Sequence, residues 1–115
     1  MDVEVRAVAK YIRMSPSKAR LVVDMVRGMA AQEALNMLKF VSKAAAEPIS
    51  KLIHSAVANA EENYGLAADE LYIAKITADV GPTLKRRRFG ARGRLKPILK
   101  RTTHLQVVLS SKGQA

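Results

Sequence analysis

Residues 85–101, within "GPTLKRRRFGARGRLKPILKRTTH", hold nine Lys or Arg and no Asp or Glu. A run of this charge cannot enter an apolar core, because each buried, unpaired cation is strongly destabilising. The chain must fold on both sides of it and project it outward. Both flanks read as strands. "ELYIAKITADV" (Glu70 to Val80) is rich in strand formers and is broken by Gly81-Pro82. "KRTTHLQVVLSS" (Lys100 to Ser111) alternates: Thr103, Leu105, Val107 and Leu109 share one face, and Thr102, His104, Gln106 and Val108 the other. If these two strands pair antiparallel, the basic segment is a long hairpin held at its base by the sheet. Arms of about eight residues would reach on the order of 25–30 Å at about 3.3 Å per residue. An isolated two-stranded ribbon is marginal in water, and like charges weaken it further. The tip is therefore expected to be mobile until a polyanion orders it.

The net charge is +10, and residues 85–101 carry +9 of it. The rest of the chain is almost neutral. Charge so concentrated marks a binding element for a polyanion, nucleic acid first, rather than a diffusely basic surface. The 115 residues suit one domain, and 49% hydrophobic content is enough for a core. The absence of Cys excludes disulfides and thiolate metal sites. No apolar run approaches the roughly 18 residues of a membrane span. "MDVEVRAV" lacks the form of a signal peptide. A soluble intracellular protein is expected.

The body reads as three strands and three helices. "VEVRAVAKYIR" (Val3 to Arg13) alternates as a strand. In "MSPSKARLVVDMVRG", Ser15 suits an N-cap, Pro16 the first helical position and Gly28 the stop. An inward stripe of Leu21, Val22, Met25, Val26 and Met29 is expected, with Arg20, Asp24 and Arg27 opposite and spaced to pair. A second helix is predicted over Ala31 to Val41, with Leu35 and Leu38 inward. Ser42 could cap a third, whose stripe is Ile49, Leu52, Ile53, Ala56, Val57, Ala60 and Tyr64. Pro48 should bend that helix or delay its start, and Gly65 should end it. The expected fold is α+β: a three-stranded antiparallel sheet packed against three helices, with a long extended β-hairpin. The body would be residues 1–80 and 100–115, and the hairpin about 81–99.

Within the basic segment, Gly and Pro suit tight turns and close approach to a partner. Arg grips phosphate with two donors, and Phe89 could stack on a base. Gly90 and Gly93 have the Gly-x-x-Gly spacing of a KH loop, but Pro97 and the surrounding cations oppose the helix that loop requires. No P-loop pattern is present. His54 and His104, without Cys or paired spacing, do not suggest a metal site, and no cofactor is implied. Ser15, Ser17 and Lys18 could suggest a Ser-Lys nucleophile, yet a helix cap explains Ser15 more simply. No acid–base constellation stands out, so no enzyme is expected. A second basic cluster, Arg6, Lys10, Arg13, Lys18 and Arg20, surrounds the first strand and helix start. That helix N-terminus adds phosphate-binding N–H groups.

"RMSPSKARLVVDMVRG", "SAVANAEENYG" and "GPTLKRRRFGARGRLKPILKRTTH", in this order and spacing, resemble the bacterial ribosomal protein L22 family. The resemblance covers nearly the whole chain. Ser15, Pro16, Lys18 and Arg20 match the family's first-helix signature. Gly81, Pro82, Lys85, Arg86, Ala91, Gly93, Arg94, Lys100, Arg101, Thr102 and His104 match its hairpin signature. Phe89-Gly90, Leu95, Pro97 and Thr103 depart from the family pattern of Pro-Arg, Ala, a basic residue and Ser.

The resemblance implies a constituent of the large subunit that bridges several domains of 23S-type rRNA during assembly. It also implies a hairpin that lines the polypeptide exit tunnel. The partners would be that rRNA, neighbouring large-subunit proteins and the nascent polypeptide, with no membrane and no small-molecule substrate. The setting would be a bacterial or organelle ribosome. The expected RNA-binding residues are Arg13, Ser15, Lys18, Arg20, Lys85, Arg86, Arg87, Arg88, Arg92, Arg94, Lys96, Lys100, Arg101 and His104. The expected tunnel-facing tip is Arg88, Phe89, Gly90, Ala91 and Arg92. The competing expectation is a free-standing DNA- or RNA-binding chaperone module.

Overall fold

The computed structural model describes residues 4–81, 84–89 and 95–111, with the backbone alone for 84–89 and 95–100. Along the chain run β1 (Glu4–Ile12), α1 (Pro16–Val26), α2 (Ala31–Leu38), α3 (Ala46–Tyr64), a 3₁₀ turn (Ala68–Glu70), β2 (Tyr72–Val80), β3 (Leu84–Phe89), β4 (Leu95–Lys100) and β5 (Thr103–Ser110). Strands β1, β5 and β2 form one antiparallel sheet in that order, and β3 and β4 form a separate two-stranded ribbon.

The alternation read in β5 sets the core. Leu105, Val107 and Leu109 have no solvent exposure. Each pairs on both sides with an apolar residue. Leu109 lies between Val5 and Ile73, Val107 between Ala7 and Ile76, and Leu105 between Ala9 and Ala78. Ile73 and Ile76 are three apart but oppose residues two apart. A register shift between Ile73 and Lys75 makes this possible, and the extra residue keeps both isoleucines on the core face. α3 packs across β1 and β5, and α1 packs on β2, so the helices cover one sheet face.

Ser15 caps α1 as expected: its Oγ accepts from the Lys18 N–H at 3.4 Å, and Pro16 opens the helix. The buried stripe is displaced from the expected one. Ala19, Val22, Val23 and Val26 face inward, whereas Leu21 and Met25 are 57% and 43% exposed. Small and β-branched residues let α1 approach β2 closely. The polar edge of α1 then meets β2, an edge strand whose outer carbonyls need partners. Arg27 Nη2 donates to the Ile76 carbonyl and Arg20 Nε to the Ala78 carbonyl, both at 3.1 Å. Further along the same edge, the Ile73 N–H donates to Met29 O, and the Ala31 N–H donates to Leu71 O. Arg27 also pairs with Asp24 at 2.6 Å, as the spacing predicted.

α2 buries Leu35 and Leu38 together with Ala31 and Ala34. α3 begins at Ala46 rather than after a Ser42 cap, and its N-cap position, Ala45, makes no side-chain bond. Pro48 accounts for this: it sits in the first turn, where a missing N–H costs nothing. The α3 stripe from Ile49 to Ala60 is buried, but Tyr64 is exposed. Gly65 ends the helix in the left-handed conformation, with φ 65°.

Candidate nucleic-acid interface

The basic segment leaves the body between β2 and β5. Those strands pair antiparallel from Tyr72–Ser110 to Val80–Thr103, and the Gly81 N–H donates to the Thr102 carbonyl at 3.0 Å. Immediately beyond, β3 and β4 pair from Leu84–Lys100 to Phe89–Leu95. The body sheet thus holds the base of the ribbon, as the two flanking strands predicted. Among the described residues the paired arms have six residues each. Six residues span about 20 Å at about 3.3 Å per residue. The molecule measures 64 × 26 × 21 Å, with a radius of gyration of 17.2 Å. A compact domain of this length would have about 13 Å.

Ladder positions two apart share a face of a ribbon. One set of positions is Leu84/Lys100, Arg86/Ile98 and Arg88/Lys96; the other is Lys85/Leu99, Arg87/Pro97 and Phe89/Leu95. Both sets carry cations, and the first holds four of the six. Pro97 is tolerated because both strands of a two-stranded ribbon are edges. Gly90 and Gly93 fall between two strands, not two helices, so a KH loop is excluded. Gly90, Ala91, Arg92 and Arg94, with most of the expected tip and its expected mobility, lie outside the described residues.

At the root, five residues lock together. Thr102 and Thr103 are buried, and Thr103 Oγ1 donates to the Met14 carbonyl at 2.8 Å. A Ser at this position would keep the same donor. His104 Nδ1 accepts the Tyr11 N–H at 3.1 Å, which fixes the imidazole as the Nε2–H tautomer. The Tyr11 and His104 rings meet edge to face, with centroids 4.9 Å apart. Gly81 packs so closely here that a Cβ would lie 2.5 Å from Thr102 Oγ1 and 3.2 Å from His104 Cε1.

The other expected contacts are spread over the body. Arg13, Lys18 and Arg101 are exposed. Ser15 uses its hydroxyl as the α1 cap. Arg20 is exposed, but its Nε is tied to β2, so its guanidinium is held at the sheet edge. Lys75 went unnoticed in the sequence. It stands in a cross-strand row with Val108 and Arg6, on the sheet face away from the helices. Only the register reveals that row. Among the described residues, no group of three His, Asp or Glu could hold a metal, and no helix is long and apolar enough to cross a membrane.

An α+β body bearing a cationic two-stranded arm on its sheet is the class of protein that these features define. Residues 7–110 match the family described as ribosomal protein L22p/L17e, and the chain belongs to that family. It is similar to the large ribosomal subunit protein uL22 of Halothermothrix orenii, with 49% identity over 109 residues, 95% of this chain and 96% of the relative. The protein of the same name from Clostridium novyi is 50% identical over 109 residues, covering 95% and 98%.

Proposed function

We propose that this protein is a structural constituent of the large ribosomal subunit in the cytoplasm, binding large-subunit rRNA through its arm and the adjacent body surface. The arm carries the reading: a ribbon about 20 Å long, anchored on a sheet, within a segment (residues 85–101) that holds +9 of the net charge of +10. Like charges weaken such a ribbon, and converging RNA phosphates would supply the counter-charge that stabilises it. Lys85, Arg86, Arg87, Arg88, Arg92, Arg94, Lys96, Lys100 and Arg101 neutralise phosphates from separate rRNA segments, and Arg13, Ser15, Lys18, Arg20 and His104 contact RNA near the body. Repulsion between those segments falls, and their packing is fixed. Arginine in a rigid strand suits this role because its planar fork binds two phosphate oxygens at once.

The free end of the arm, residues 88–92, lines the polypeptide exit tunnel and meets the nascent chain, while the body abuts neighbouring large-subunit proteins. RNA shape, rather than base sequence, supplies most of the selection, because A-form grooves are poorly read by side chains. The test is co-sedimentation with large subunits through a high-salt wash, for the full chain and for a chain lacking residues 83–98. The full chain should remain bound. The shortened chain should keep a cooperative thermal transition and lose binding. A full-length chain found free or on the nucleoid would favour a free-standing chaperone instead.

A further inference from the structure

We propose that Tyr11 is a stacking platform for an unpaired RNA base at the root of the arm. The inference rests on the rRNA-binding reading above and deepens it. Tyr11 is the only non-glycine residue with positive φ among the described residues, at 60°. It lies in the register shift between Ala9 and Ile12, where two strand steps of β5 oppose three of β1. A bulge residue in this conformation is ordinarily Gly, because a Cβ there crowds the backbone. The fold therefore holds a bulky residue in a strained conformation.

Core packing does not explain the strain, since Tyr11 is 60% exposed. Among the described residues its phenol makes no hydrogen bond, and the N–H bond to His104 is a backbone bond that any residue but Pro could make. What the arrangement does is present an aromatic ring to solvent, with the His104 ring against its edge or face at 88°. His104 is itself confined, between the Tyr11 N–H and the close approach of Gly81. Lys10 and Arg13, both exposed, flank Tyr11 in sequence. Asp79, paired with His104 in the β2–β5 register, is the nearby acid. An exposed ring braced by a second ring, on a strand end that also carries exposed cations, is suited to hold single-stranded nucleic acid by stacking, without reading base identity. Strain that core burial does not explain points to function.

The chain has no Trp, so Tyr11→Trp gives a single fluorescent reporter. The probe is a bacterial large-subunit rRNA transcript. Tyr11→Trp and Tyr11→Phe should bind within about two-fold of wild type, and the tryptophan emission should be quenched on binding, as stacking on a base requires. Tyr11→Gly and Tyr11→Leu should bind about 5- to 100-fold more weakly. Tyr11→Gly should also melt within about 4 °C of wild type, because Gly relieves the strain and keeps the backbone bond to His104. Wild-type affinity in both Tyr11→Gly and Tyr11→Leu, or unquenched emission in the bound Tyr11→Trp chain, overturns the platform and leaves rRNA binding standing. A large loss of melting temperature in Tyr11→Gly assigns the ring a structural role and also overturns it. A wild-type chain that does not bind the transcript overturns the rRNA reading, and the platform with it.

Discussion

Gly81→Ala should destabilise the protein chiefly through one contact at the root of the arm. The added Cβ would stand 2.5 Å from Thr102 Oγ1, 3.2 Å from His104 Cε1 and 3.3 Å from His104 Nε2. Thr102 is 1% exposed, so its side chain has little space into which to swing. His104 is held by the Tyr11 N–H. Relief must come from backbone movement in β5 or β2, and overpacking of this kind costs about 1–3 kcal/mol. For 115 residues the unfolding entropy is about 240 cal/mol/K, so each kcal/mol lowers Tm by about 4 °C. Calorimetry should therefore show a fall of about 4–12 °C. Thr102→Ala removes the atom that would clash. The double variant should be less destabilised than the sum of the singles by about 1 kcal/mol or more. An unchanged Tm in Gly81→Ala, or full additivity in the double variant, would refute the close packing of the root.

Other substitutions test the body. Val23→Ala should cost about 1.5–2.5 kcal/mol in chemical denaturation, while Leu21→Ala, despite its larger truncation, should cost under about 0.5 kcal/mol. Equal costs would return α1 to the phase expected from its sequence. Arg20→Gln should lower stability by about 1 kcal/mol through the lost bond to Ala78 O, and so reduce Tm even without RNA; no change would assign Arg20 to RNA contact alone. Ser15→Ala should cost about 0.5–1 kcal/mol in thermal melts, near the low end for a cap because the bond is 3.4 Å long.

The fold was legible wherever one pattern dominated. β5 alternates cleanly, and its partners followed from that alternation. Ser15, Pro16, Gly28 and Gly65 marked helix ends because each has a backbone reason to stand there. α1 was misphased because Leu21, Val22 and Val23 run together, as do Met25 and Val26, so apolar periodicity allows two faces. The deciding term was the closeness of β2, which favours small residues inward and needs the two arginines at its edge. The start of α3 was misplaced because Ser42 is a good cap in isolation, while Pro48 fits best in the first turn. The arm was legible from charge alone, since nothing in the chain could neutralise it. The root was not. The Tyr11 bulge depends on the β1–β5 register, and the Arg6–Val108–Lys75 row spans three strands that are distant in sequence.

The most direct test of the account is the salt dependence of rRNA affinity, compared between the wild type and a chain with Lys85, Arg86, Arg87 and Arg88 all changed to Gln. If about six phosphates are neutralised, log K should fall against log[salt] with a slope of about −4 to −5. Removing four of those contacts should bring the slope to about −1 to −2. A wild-type affinity independent of salt, or a slope that the four substitutions leave unchanged, would contradict an arm that works by phosphate neutralisation.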